Sequence, residues 1–74
     1  MTLEVLKGGG RFRVVNVAGG RGVRQRLAQL GIYPGSIITV YNLGNWRGPL
    51  LVEVAGSRIA LGRGMARKIE VQPL

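Results

Sequence analysis

The chain has 74 residues, enough for one domain with one hydrophobic core. It has no histidine or cysteine and only three acidic residues, so it lacks the clustered imidazole, thiolate or carboxylate groups that a transition-metal site needs. Its serines have no base to activate them, and we expect neither catalysis nor a bound cofactor. Eleven Lys and Arg residues give a formal net charge of +8, which favours acidic partners.

The hydrophobic residues indicate an aliphatic core in a protein that is not embedded in a membrane. They make up 46% of the chain, but only four residues are aromatic. No stretch approaches the roughly 18 uninterrupted apolar residues of a membrane span, and the N-terminus lacks the order of a secretory signal. We therefore expect a soluble, intracellular protein.

Short apolar runs separated by glycines and prolines predict a small all-β fold. Five strands are expected, at about 11–18, 37–43, 50–55, 58–61 and 68–72. The first lacks clean alternation, because Val14 and Val15 would point to opposite faces. Reversals at 43–49 and 55–58 predict antiparallel neighbours, and five short strands suit a small barrel.

One stretch changes to a helical pattern. Val23, Leu27 and Leu30 fall at positions i, i+4 and i+7, which would place them on one face of a helix. Gly31 tolerates positive φ just past the last turn, and Ile32 can fold back on the helix as in a Schellman ending. We expect a helix at about 22–30 that leans on the barrel through this face, and a single turn around 64–67.

Four motifs occur in a specific order along the chain. Residues 23–35 (VRQRLAQLGIYPG) resemble the R-R-L-x-x-L-G-[IL]-x-P-G signature of the ferrous iron transport protein A (FeoA) family. Residues 48–56 (GPLLVEVAG), 58–63 (RIALGR) and 66–71 (ARKIEV) are similar to the family's G-G-P-[IV]-x-V-x-V-x-G hairpin, its x-[IL]-A-L-R strand and its closing A-x-x-I-x-V. The resemblance spans nearly the whole chain.

This resemblance implies an SH3-like five-stranded barrel with one short α-helix between strands 1 and 2, forming a single domain over residues 1–74. It also implies a cytoplasmic accessory protein that binds the membrane-embedded ferrous iron transporter FeoB, whose cytosolic portion includes a GTP-binding domain. Recruitment to the inner face of the cell membrane would then occur through that partner, and iron would be the partner's cargo.

The candidate partner-binding residues are basic and aromatic. Arg21, Arg24 and Arg26 form the densest charge cluster, although solvated arginines that keep the protein soluble are an equal alternative. We expect a cleft between helix and barrel, bordered by Leu30, Tyr33 and Trp46, because Trp, Tyr and Arg dominate binding hot spots. The predicted set is Arg21, Arg24, Arg26, Leu30, Tyr33, Trp46 and Arg47.

Two further possibilities remain open from the sequence. A basic SH3-like module could bind nucleic acid, but the chain lacks the interleaved aromatic and basic strand pattern of single-strand readers, so no specific nucleic acid is expected. Apolar edge strands could also pair with those of a second copy, giving a homo-oligomer.

Overall fold

Five antiparallel strands and two short helices make up the described part of the chain. The computed structural model describes residues 1–3, 9–41 and 48–74. The elements are β1 Gly10–Val17, α1 Arg21–Gln29, β2 Ile37–Val40, β3 Leu50–Val54, β4 Ser57–Leu61, α2 Arg63–Ala66 and β5 Ile69–Pro73. Each strand overlaps its predicted range, and α1 begins and ends one residue earlier than the sequence predicted.

The strands form a single sheet in the order β4-β3-β2-β1-β5. Among the described residues no pairing joins β4 to β5, so the sheet is open, and its closure into a barrel stays a prediction. The start of the chain covers part of the outer edge of β5, because Thr2 bridges to Glu70 and the backbone N–H of Val71 donates to the carbonyl of Met1 at 2.7 Å. Within the part of the chain that the structure describes, no helix has the length and apolar character needed to cross a membrane.

A β-bulge explains why the first strand lacks clean alternation. β1 pairs with β5 through Val14 opposite Val71, and the next pair is Asn16 opposite Glu70, so Val15 is an extra residue. Val14 is buried while Val15 is 44% exposed. A bulge adds one residue to one strand and locally increases its twist, which re-aims the residues that follow.

The core formed by the described residues is aliphatic, as the composition predicted, with one aromatic ring, that of Phe12. Alternate residues of the strands point into it, and one residue each from the chain start, α1, the turn after α1 and α2 complete it. The buried residues are Leu3, Phe12, Val14, Val17, Leu27, Ile32, Ile38, Val40, Leu50, Val52, Val54, Leu61, Ala66, Ile69 and Val71.

Helix α1 rests on this core through a narrower face than its periodicity predicts. Leu27 is fully buried and Val23 is partly buried against the core, but Leu30 is 42% exposed, so its assignment to the buried face was wrong. The reason is the helix ending. Leu30 is the C-cap, and Gly31 at φ 94° turns the chain so that Ile32 becomes the fully buried residue instead.

Hydrogen bonds confirm the predicted Schellman ending of α1. The backbone N–H of Ile32 donates to the carbonyl of Leu27 at 2.9 Å, and that of Gly31 donates to Ala28 at 3.0 Å. These bonds satisfy carbonyls that would lack a partner at the end of the helix. A Cβ at Gly31 would lie 3.3 Å from the Cβ of Ala55, so the helix end sits close against the β3–β4 turn.

Candidate partner-docking surface

The arginines of α1 carry charge that the described structure does not neutralise. Arg21, Arg24 and Arg26 are exposed, and the helix contains no acidic residue. Within residues 1–3, 9–41 and 48–74, their guanidinium groups make no hydrogen bond or ion pair. These charges are therefore available to an incoming acidic group.

A groove of about 250 Å³ lies between α1, the end of β1 and the turn that follows α1. Its surface is mostly apolar, and Arg24 is the one charged residue that the described part of the chain contributes to its lining. Ligand pockets usually span about 300–1,000 Å³, so this groove suits a side chain or short peptide segment better than a cofactor. The lining residues are Asn16, Val17, Arg24, Ala28, Ile32, Tyr33 and Pro34.

A tight turn holds Tyr33 at the rim of this groove. The backbone N–H of Ser36 donates to the carbonyl of Tyr33 at 2.9 Å, and the hydroxyl of Ser36 donates to the same carbonyl at 2.8 Å. Pro34 followed by Gly35 at φ 99° has the residue types and the sign of φ that a type II turn requires. The backbone N–H of Gly35 donates to the carbonyl of Val14 at 2.8 Å, and the N–H of Val14 donates to the carbonyl of Ser36 at 2.9 Å. These two bonds fix the turn to β1.

The structure brings only part of the predicted site together. Arg24 and Tyr33 line the groove, whereas Leu30 and Arg21 are exposed but do not contribute to its lining. Arg26 lines a separate depression between α1 and α2. The two remaining candidates, Trp46 and Arg47, lie outside the described residues.

Five lining residues were absent from the predicted set: Asn16, Val17, Ala28, Ile32 and Pro34. For Asn16 and Val17, the broken alternation at Val14 and Val15 was the signal that could have pointed to them. It marks the bulge after which Asn16 and Val17 face the groove. The sequence alone does not say which element would lie opposite them.

The sheet also carries a cluster of polar side chains that the sequence did not predict. The hydroxyl of Tyr41 donates to Oε1 of Glu53 at 2.7 Å, and Nε of Arg58 lies 3.4 Å from the same oxygen. The Arg58 guanidinium also lies over the Tyr41 ring, 4.8 Å from its centroid. Cross-strand register produces this cluster, since Glu53 lies opposite Arg58 and Tyr41 is diagonal to Glu53.

These contacts shift the ionisation of all three groups. The hydrogen bond from Tyr41, followed by that from Arg58, lowers the pKa of Glu53. The same bond raises the pKa of Tyr41, because only the protonated phenol can donate this hydrogen bond to the carboxylate. The pKa of Arg58 is raised, chiefly by the charge interaction with Tyr41 and then by its hydrogen bond to Glu53. The opposite charges of Glu53 and Arg58 therefore compensate each other within the cluster.

The described residues thus form a small antiparallel β-sheet fold with a basic helix beside an apolar groove. Among these residues no three His, Cys, Asp or Glu side chains are grouped so that they could hold a metal ion. The FeoA domain model matches residues 1–73, and the chain belongs to the FeoA domain family.

Comparison with individual proteins agrees with this assignment. The chain is 40% identical over 70 residues to a protein of Methanocaldococcus jannaschii provisionally named Fe(2+) transport protein A, covering 95% of this chain and 83% of the relative. A crystal structure of an iron uptake regulatory protein (FeoA) superimposes with a TM-score of 0.87 at 35% identity, over 100% of this chain and 96% of the other. The solution structure of FeoA from Chlorobium tepidum gives 0.85 at 34% identity, over 100% and 70%.

Proposed function

We propose that this chain is an accessory protein of ferrous iron uptake that binds the cytosolic part of the transporter FeoB and modulates it, without catalysis of its own. Membership of the FeoA domain family supports the pathway, as do the names of its relatives, which refer to Fe(2+) transport and iron uptake regulation. In this proposal the protein works in the cytoplasm and reaches the membrane through its partner. Iron is the cargo of the transporter.

The observation that carries the proposal is the combination of unpaired arginines with an apolar groove. Arg24 lies on the groove wall, where its charge can attract and orient an acidic partner segment. The apolar lining can then bury a side chain of that segment, which contributes most of the affinity. The hydrogen-bonded turn fixes the backbone of Tyr33 before binding, so little backbone conformational entropy is lost at this position.

Capture of the transporter from membranes tests this proposal. The tagged chain is incubated with detergent-solubilised membranes that contain FeoB, and bound protein is identified by mass spectrometry. We expect Arg24→Glu and Tyr33→Ala, each shown by circular dichroism to be folded, to reduce capture at least fivefold. Arg11→Glu makes the same charge change at an exposed position at the far end of β1 from the groove, and should retain most of the binding. Equal loss with Arg11→Glu, or full capture by Arg24→Glu and Tyr33→Ala, would contradict the proposed surface.

Nucleic-acid binding is the second candidate, because a net charge of +8 attracts phosphates. Tyr33 is the one exposed aromatic residue in the described part of the chain, which leaves little surface for base stacking. Binding of a random single-stranded oligonucleotide, measured across a salt series, distinguishes specific nucleic-acid binding from non-specific charge attraction. Binding that persists near 0.15 M salt, roughly the physiological value, would favour this candidate, whereas non-specific attraction should collapse.

A further inference from the structure

A second groove lies on the other side of α1, between this helix and α2. It has a volume of about 420 Å³ and is lined by Gly22, Val23, Arg26 and Met65. None of these residues lines the groove that contains Arg24 and Tyr33. Helix α1 is therefore a wall shared by two separate grooves. We refer to the second one as the α1–α2 groove.

Backbone and side-chain contacts hold the two walls of the α1–α2 groove together. The backbone N–H of Ala18, shortly before α1, donates to the carbonyl of Lys68, shortly after α2, at 2.8 Å. A Cβ at Gly19 would lie 3.4 Å from the Cβ of Val23 and 3.5 Å from Cδ of Lys68. Val23 of α1 and the side chain of Lys68 therefore lie on either side of Gly19. The groove walls are thus joined by contacts between residues that flank the two helices.

The floor and the rim of this groove differ in chemistry. Val23 and Met65 are partly buried against the core, and the surface that they leave uncovered is apolar. Gly22 adds no side chain, and a Cβ there would meet nothing within 4 Å, so the groove is open at this point. Arg26 stands at the rim as an exposed cation without a hydrogen bond or ion pair in the described part of the chain.

The charges that the described residues place around the groove have one sign. Neither helix contains an acidic residue, while Arg21 begins α1 and Lys68 follows α2. The acidic residue nearest in sequence is Glu70, in β5, which lies opposite Asn16 in the strand register. An occupant with negative charge at its ends and an apolar group in the middle would complement this surface.

We propose that the α1–α2 groove is a second docking site, for an acidic peptide segment of a partner protein that inserts one apolar side chain between Val23 and Met65 and places carboxylates beside Arg26. The concave shape favours a side chain over a flat lipid surface. The aliphatic floor offers no aromatic ring for base stacking, which disfavours a nucleic acid. This site goes beyond the proposed FeoB-binding groove because it uses the other side of α1.

A pair of synthetic nonapeptides tests the site directly. The first probe has a central leucine flanked by glutamates, and the second has serine in place of the leucine. Each is titrated into the ¹⁵N-labelled chain at low salt. We expect the leucine probe to shift the amide signals of Gly22, Val23, Arg26 and Met65 more than those of Asn16 and Tyr33. The serine probe should bind about tenfold more weakly, because it buries no leucine side chain.

Two matched variants on the same helix separate this groove from the first. Arg26→Gln and Arg24→Gln remove the same charge from exposed positions on α1, and circular dichroism checks that both remain folded. Arg26→Gln should weaken binding of the leucine probe about two- to fivefold, the range for one exposed charge pair, and Arg24→Gln should change it less than twofold. Equal weakening by the two variants would show only general charge attraction and would overturn the proposal.

Other outcomes also decide against the site. It is overturned if the leucine probe does not bind at millimolar concentration, or if the serine probe binds equally well. It is also overturned if the shifts at Gly22 and Met65 occur with phosphatidylglycerol vesicles but not with the leucine probe. In contrast, transporter capture that is lost in Arg24→Glu but kept in Arg26→Gln would support the proposal that the two grooves are separate sites.

Discussion

Arginines on two sides of this molecule have different surroundings. On the sheet, Arg58 contacts both the carboxylate of Glu53 and the ring of Tyr41, so its charge is compensated within the fold. On α1, Arg24 has no such partner in the described part of the chain. The comparison shows that net charge alone does not locate a binding surface. Pairing within the fold distinguishes Arg58 from Arg24, which lines an apolar groove without a partner among the described residues.

The basic helix is held in place by its buried face, and substitutions at Leu27 and Leu30 test how wide that face is. Leu27→Ala should lower the free energy of unfolding by about 2–5 kcal/mol, because a fully buried leucine side chain is replaced by a cavity. Leu30→Ala is the matched control three residues later. Its side chain is 42% exposed, and it should cost less than about 1 kcal/mol. Urea unfolding of both variants measures the difference. Similar losses would mean that α1 rests on a wider face than the structure shows.

The second prediction concerns the end of the same helix. Gly31→Ala should lower the free energy of unfolding by about 1–2 kcal/mol, because φ is 94° and the added Cβ would crowd Ala55. Gly64→Ala, within α2, has open space and no positive φ, and should instead raise stability by about 0.5–1 kcal/mol. Thermal unfolding of the two variants should shift in opposite directions. A stabilising Gly31→Ala would refute the Schellman geometry.

A third prediction, for which only a small change is expected, concerns the cluster of Tyr41, Glu53 and Arg58 on the sheet. The lowered pKa of Glu53 means that its ionised form stabilises the fold above the unfolded-state pKa of about 4.3, and that this contribution is lost as the pH falls through the lower folded value. Near neutral pH, Glu53→Gln should therefore unfold at a slightly lower temperature than the wild type. The difference should disappear in acid.

Glu70→Gln is the matched control for this measurement. It removes the same charge from β5, where no ion pair forms among the described residues, and should shift the unfolding temperature less than Glu53→Gln does. A Glu53→Gln effect that is constant across the pH range would show that the ion pair and hydrogen bonds at Glu53 do not contribute to stability.

Local signals in the sequence predicted most of the secondary structure. The strands followed from short apolar runs, and the ending of α1 followed from Gly31 and Ile32, because a Schellman motif depends on adjacent residues. Leu30 was misplaced because periodicity does not report the exact residue at which a helix stops.

The candidate site was less predictable because it depends on contacts between distant residues. Arg24 and Tyr33 were chosen for their residue types, and the groove that joins them needs the bulge in β1 and the turn fixed to Val14. The pairing of Tyr41 with Glu53 requires the strand register, which the sequence does not specify. Closure of the sheet into a barrel is likewise a long-range property that alternation cannot show.

Residues 1–3 lie against β5 and cover both core and sheet edge. Leu3 is fully buried, and Thr2 and Met1 occupy backbone positions along an edge that would otherwise be free to pair with another molecule. Displacement of these three residues from β5 would expose core and edge together. Damage at this end of the molecule would then first be visible as strand-to-strand aggregation.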